Sequence, residues 1–214
     1  DWSSDVCSSD LIDTGAMVDS REQHYRKLLD IGLALSTERN SVHLMEKILD
    51  EAKSMCNADG GTLYRLVDND QRLRFEIMRN DSLGIYNGGT SGKEITLPPV
   101  ELFDPETGEE NHKNVASYCA LSRKTISIDD AYVFKDFDFQ GTKNFDKATG
   151  YRSKSFLTVP LYNNERRVIA VLQLLNAQDR DTGEVIGFDI SLQPFVEALA
   201  AQAAIALDNQ LLVE

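Results

Sequence analysis

Apolar positions along the chain recur with two periods, and these divide it into helices and strands. In residues 20–36, Tyr25, Leu28, Leu29, Gly32, Leu33 and Leu35 recur at helical spacing and predict an amphipathic helix that ends near Thr37 to Asn40. Met45, Ile48, Leu49, Ala52 and Met55 form a cleaner stripe, which predicts a second helix from Ser41, read as its N-cap, to about Cys56. Ala58-Asp59-Gly60-Gly61 reads as a turn into a strand over 62–67. Asp68-Asn69-Asp70 then turns the chain into 72–79, where Leu73, Phe75 and Ile77 alternate with Arg74 and Glu76. That alternation predicts a strand with one solvated face.

Residues 80–111 are rich in Gly, Pro and acid, with a short strand expected at 93–97. A loop of this length is a lid or a mobile insertion. A short helix over 112–122 and a strand over 125–128 follow, then a connector carrying Phe134, Phe137 and Phe139. Next comes a polar cluster around Gly150, namely Asp146, Thr149, Tyr151, Arg152 and Ser153. Two apolar runs, 156–161 and 168–175, flank Asn163-Asn164-Glu165-Arg166 and predict a β-hairpin. Gln173 alone interrupts the second run; once buried it must bond to neighbouring backbone or face a cavity that holds a polar ligand. After an acidic loop over 178–187, a last helix starts near Ser191. It carries Phe195, Val196, Leu199, Ala203, Ala206, Leu207 and Leu211 and meets no stop signal, as if the native chain continued. No internal repeat is evident. The order of elements predicts an α+β domain, an antiparallel sheet of about six strands with helices packed on it.

Composition narrows the setting. Apolar residues make up 42% of the chain and aromatic ones 8%, enough for a core. A net charge of −13 without a basic stripe argues against a nucleic-acid surface, and no run approaches the ~18 consecutive apolar residues of a membrane span. Residues 1–11 resemble an in-frame translation of a sequencing-library adapter and are set aside, with 12–23 as a disordered lead-in. Cys7 falls in that segment. The remaining cysteines, Cys56 and Cys119, are far apart and form no CxxC, so neither a disulfide framework nor a zinc site is expected, and a reducing cytoplasm is the simplest location. His24, His43 and His112 lack metal-ligand spacing.

Four stretches together resemble the GAF domain, a small-molecule sensor module: VASYCALSRKTISIDDAY (115–132), TGYRSKSFLTVPL (149–161), VIAVLQLLN (168–176) and AAQAAIALDNQLL (200–212). The resemblance covers roughly 24–213 and is greatest to GAF domains that precede bacterial HD-GYP phosphohydrolases, nucleotide cyclases or diguanylate cyclases. It implies a ligand between the sheet and the 112–155 layer, with a cyclic nucleotide among the candidates and no other cofactor. It further implies that the main chain of Val115, Ala116 and Tyr132 cradles a phosphate. A helix N-terminus suits that task through its unpaired N–H groups. By the same resemblance Thr62, Asp146 and Thr149 contact the base, and Ser153 and Gln173 lie near base or sugar. One departure concerns the family's Asn-Lys…Phe…Asp-Glu signature. Asn176 and Phe188 match it, but Ala177 replaces the Lys, and Leu192 and Gln193 replace the acids. A buried ion pair lost as a whole can leave the fold intact, so the departure bears on nucleotide binding.

The expected function is therefore a non-enzymatic regulatory module, dimeric through its terminal helices and placed before an output domain. The alternatives are a ligand-free dimerisation and docking domain, and a fragment of an HD-GYP cyclic-di-GMP phosphodiesterase or a nucleotide cyclase. Paired-cysteine reduction of methionine sulfoxide, known for a few GAF domains, is not expected from Cys56 and Cys119.

Overall fold

The computed structural model describes residues 9–211, with side chains over 21–210. Most of the segment 1–11 and the last three residues of the chain lie outside the described residues. Two long helices open the chain, α1 (Ser9–Thr37) and α2 (Ser41–Cys56). The strands are β1 (Ala58–Val67), β2 (Arg72–Asn80), β3 (Ile85–Gly88), β4 (Val100–Glu101), β5 (Ile126–Ile128), β6 (Phe156–Tyr162), β7 (Val168–Gln178) and β8 (Val185–Ile186). Helices α3 (Val115–Ser122) and α4 (Gln140–Thr149) stand between β4 and β6, and α5 (Gln193–Leu211) ends the described chain. All eight strands join one antiparallel sheet in the order β3-β2-β1-β7-β6-β5, with β4 beside β2 and β8 beside β7. The α+β architecture is as the hydrophobic pattern predicts.

Each face of the sheet has its own cover. On one, Leu63, Ile77, Leu157, Val159, Leu172 and Leu174 pack against α1, α2 and α5. On the other, Tyr64, Leu73 and Val171 meet α3 through Ala116, Cys119 and Ala120. Beside that patch, Phe156 and Ile128 meet Val115, Ala131 and Phe139. The aromatic connector thus becomes a packed block, in which Phe137 joins Tyr118 to Phe139 and Phe139 joins Phe156.

Several elements differ from the pattern-based expectation, each for a physical reason. Helix α1 runs through 12–23, expected to be disordered; that stretch carries no apolar stripe from which a helix could be read. Asn40, not Ser41, caps α2, accepting a hydrogen bond from the His43 N–H at 3.0 Å. Residues 58–61 are the start of β1, not a turn. A Cβ at Gly61 would lie 2.7 Å from Leu49 Cδ1 and 3.0 Å from the Gln173 carbonyl oxygen, so glycine there permits close approach of α2 and β7. The alternation in β2 breaks at Glu76. A bulge between the pairs Leu63↔Ile77 and Tyr64↔Phe75 sends Leu73 to one core and Ile77 to the other. Extended pairing within 80–111 falls at β3 and β4, while 93–97 is not a strand. Helix α4 replaces part of the expected polar connector.

A short motif also recurs. Asp104-Pro105-Glu106-Thr107-Gly108-Glu109 and Asp179-Arg180-Asp181-Thr182-Gly183-Glu184 form the same hairpin loop. Each is closed by an Asp N–H to Glu carbonyl bond (2.8 and 2.9 Å), with the glycine at φ +73°. Backbone N–H groups, Thr107 and Thr182 foremost, hold the pKa of the Asp104 and Asp179 carboxyls below the ordinary range.

Over Ile190–Gln210 the chain is long and apolar enough to cross a membrane by length and composition, with a mean hydropathy of 1.4. In the fold, one side of this helix is committed to the domain: Val196, Leu199, Ala203 and Leu207 are buried against the sheet and α2.

The glycine in β1 yields a test. Gly61→Ala should destabilise the domain by about 1–3 kcal/mol through overpacking, whereas Gly141→Ala in α4, where no atom lies within 4 Å of the new Cβ, should be neutral or slightly stabilising. Urea denaturation of both variants measures the difference; equal midpoints would show that the close approach at Gly61 carries no constraint.

Candidate functional site

The centre of the distal face, the one opposite α1, α2 and α5, carries a polar row. Thr62 of β1 pairs with Gln173 of β7, and Gln173 with Thr158 of β6, so the three side chains share that face. Gln173 Nε2 donates to Thr158 Oγ1 at 3.1 Å, and Tyr64 Oη donates to Gln173 Oε1 at 3.3 Å. The polar residue that interrupts the apolar run of β7 is therefore held by side chains. Thr158 is fully buried and Thr62 nearly so, yet Gln173 and its neighbours Leu175 and Met78 are only half-buried. Solvent reaches the middle of the sheet at this point.

A second group forms beside it, around a buried carboxylate. Asp146 of α4, 3% exposed, accepts from the Tyr132 hydroxyl at 2.7 Å, from the Ser153 N–H at 2.8 Å and from the Ser153 hydroxyl at 2.7 Å. Tyr132 in turn lies beneath Arg152, whose guanidinium carbon is 4.2 Å from the ring centroid. Asp146 is the buried residue of α4. That helix is thus anchored by hydrogen bonds to a carboxylate where α2 and α5 are anchored by apolar faces.

The predicted cradle forms a third group. Val115 and Ala116 are the first residues of α3, with Asn114 as the N-cap. Asn114 Oδ1 accepts from the N–H groups of Ala116 at 2.9 Å and Ser117 at 3.2 Å, and Asp130 Oδ1 accepts from the Tyr132 N–H at 2.8 Å. Side-chain oxygens of the chain itself occupy these donors. Thr149 stands apart from all three groups. It is exposed, and its hydroxyl donates to the Phe145 carbonyl at 2.9 Å as part of the end of α4.

Periodicity did not reveal the network that fixes 151–155. Asn176, in the left-handed region at φ +54°, accepts from the N–H groups of Lys154 (2.7 Å) and Ser155 (3.1 Å). Its Nδ2 donates to the Arg152 carbonyl (2.8 Å) and to Tyr151 Oη (2.9 Å). Tyr151 Oη donates to the buried carboxylate of Asp59, which also accepts from the Ser82 N–H and hydroxyl. Burial, with the Asp59 bond next, raises the Tyr151 phenol well above its ordinary range, so it remains a donor. The available signal was Asn176 itself, since asparagine tolerates the left-handed conformation that lets its side chain turn back on the chain.

Neither cysteine is arranged for chemistry. Cys56 and Cys119 belong to cores on opposite faces of the sheet, and burial pushes the Cys56 thiol up to about 12 and the Cys119 thiol higher still. Among the described residues no group of three His, Cys, Asp or Glu side chains could hold a metal ion.

Comparison with known proteins bears on the fold. Over 64 residues, 30% of this chain, the sequence is 36% identical to the dual 3',5'-cyclic-AMP and -GMP phosphodiesterase 11A of Takifugu rubripes. The match spans only 7% of that relative's length. Among solved structures, the GAF domain of an Acinetobacter phosphoenolpyruvate-protein phosphotransferase superposes with a TM-score of 0.63 at 14% identity, covering 89% of this chain and 96% of that one. The corresponding domain from Coxiella burnetii gives 0.64 at 12% identity, covering 89% and 95%. Free methionine-R-sulfoxide reductase from Neisseria meningitidis gives 0.59 at 14%, covering 89% and 92%. At such identities these structures establish the fold. The sequence profile of the GAF domain matches residues 42–207, which runs from α2 through α5 and takes in the whole sheet. The chain therefore belongs to the GAF domain family.

Proposed function

We propose that this GAF domain senses a small molecule held over the distal face of the sheet at Gln173, beneath α4, and relays occupancy through α1 and α5 to an output domain. The observation that carries the reading is the half-burial of Gln173 and Leu175 in the middle of β7, on the face where Thr62 and Thr158 flank Gln173. Thr62, Asp146 and Ser153 would be candidate contacts of such a ligand, and helix α4, tied down by Asp146, would be its gate.

A cyclic nucleotide is the candidate ligand suggested by the resemblance and by the name of the phosphodiesterase relative. Its phosphate would take the N–H groups of Val115 and Ala116 and the backbone of Tyr132. Asn114 Oδ1 occupies the Ala116 donor, so that side chain must swing away for a phosphate to enter. Thr149 would reach a base only if α4 shifted. The output domain would be of the phosphohydrolase or cyclase type, and the setting cytoplasmic.

A specific observation favours a second reading, dimerisation and docking without a ligand. Tyr25, Leu29 and Leu33 form a stripe along α1 and are 62%, 70% and 69% exposed, with Ile205 of the neighbouring α5 at 46%. These positions lie opposite Leu28, Ile31 and Leu35, which are buried in the core. A second copy of the chain would cover the stripe.

Three experiments follow. Thermal unfolding with saturating cAMP or cGMP should show stabilisation, ~2.7 kcal/mol at a hundred times the dissociation constant; no shift with either nucleotide excludes them as ligands. Amide exchange in α4 should accelerate about 5–150-fold in Asp146→Ala, which removes the anchor and costs ~1–3 kcal/mol locally, while β6 and β7 stay protected. Unchanged protection in α4 would deny it the role of gate. In sedimentation, Leu29→Glu with Leu33→Glu should convert a dimer to a folded monomer; a wild-type chain that is already monomeric at high concentration would remove the second reading.

A further inference from the structure

Away from the distal face, a cavity of about 200 Å3 opens between α1, the end of α2 and the start of α5. Its wall holds Arg21 and His24 of α1, Met55 of α2, Arg180 and Asp189 from the segment before α5, and the Phe195 ring. Among the described residues no ion pair involves Arg21, Arg180 or Asp189. Arg180 makes one long bond, 3.4 Å to the Ser54 carbonyl. Asp189 Oδ1 accepts from the Ser191 N–H at 2.8 Å, which leaves Oδ2 free for another partner. Phe195 is fixed by ring contacts to His24 at 5.1 Å and Tyr25 at 5.2 Å. Lys27 lies close by on α1, donating to Ser54 Oγ at 2.9 Å and standing 4.0 Å from Glu51.

Two guanidinium groups, one carboxylate and an apolar floor line one small hollow, with the three charged residues at its exposed rim and Met55 and Phe195 buried beneath. An inorganic anion would use the arginines and be repelled by Asp189. A purely apolar guest would leave all three charges unused. A molecule with a planar carboxylate, an ammonium group and a short apolar body would use every wall. The guanidinium groups take the carboxylate, Asp189 Oδ2 takes the ammonium, and Phe195 with the Met55 thioether receives the body. The volume lies below the roughly 300–1,000 Å3 of sites for drug-sized ligands, which suits a guest of that size. We propose that this cavity binds a free α-amino acid with an apolar side chain, in its zwitterionic form. A guest there joins α1 to the entry of α5, so it would bias the same pair of helices independently of the hollow at Gln173.

Calorimetric titration of the whole chain with L-leucine tests this. Saturable binding is expected, weakened at least ~10-fold by Arg180→Ala, the loss typical of one charge-assisted hydrogen bond. Asp189→Asn should weaken it comparably, although asparagine retains the oxygen that caps the Ser191 N–H and so preserves the fold. Isocaproate, which lacks the ammonium, and isoamylamine, which lacks the carboxylate, should each bind more weakly than leucine. Asp146→Ala should leave leucine binding unchanged, because that residue belongs to the other site. The proposal is overturned by the absence of saturable heat at millimolar leucine, by isocaproate binding as tightly as leucine, or by affinity that survives Arg180→Ala in a protein shown to be folded by circular dichroism.

Discussion

Strand β7 lies in the middle of the sheet between β1 and β6, with side chains that must be covered above and below. Ala170, Leu172 and Leu174 need a layer on one side; Val171, Gln173 and Leu175 need one on the other. The first demand is met by α1, α2 and α5, and the second by α3 and the phenylalanine connector. The glycines of β1 belong to the same constraint, since a side chain at Gly61 would hold α2 and β7 apart.

The two covers are held by different forces. On the helical side, fully buried leucines such as Leu44, Leu49, Leu172 and Leu199 each contribute about 1.5–3 kcal/mol by leaving water. Over the distal face, α4 is fixed by three hydrogen bonds to Asp146, each worth ~0.5–1.5 kcal/mol net. Beside the apolar clusters that hold α3 and the phenylalanine connector, α4 is the element fixed chiefly by polar bonds.

The region just past α4 is fastened separately. Asn176, Tyr151 and Asp59 form a continuous polar path from the end of β7 to the start of β1. In the family pattern the residue after Asn176 is a lysine with an acidic partner; here it is Ala177, buried in the helical core. Asn176 itself is the hub that holds 152–155 against the sheet. Loss of the ion pair is thus compatible with the fold.

What the sequence by itself determined was the kind and order of the main elements, because periodicity is a local property. The stripe in 45–55 sufficed for α2, the run broken at Gln173 for β7, and the Asn-rich turn for the hairpin. Four matching stretches also sufficed for the family. Tertiary structure decided whatever depends on residues remote in the chain. The bulge at Glu76 splits what looked like one face of β2, and Gly60-Gly61, with the composition of a turn, lie in a strand where Gly60 abuts β2 and Gly61 abuts α2 and β7. The polar cluster 146–153 reads as a binding loop, yet Asp146 and Ser153 bond chiefly to each other and to Tyr132. Tyr151 meets Asp59 from 92 positions away, a pairing no local pattern can announce. A hydrogen-bond partner is chosen by proximity in space, and the sequence encodes that only through the packing of the whole chain.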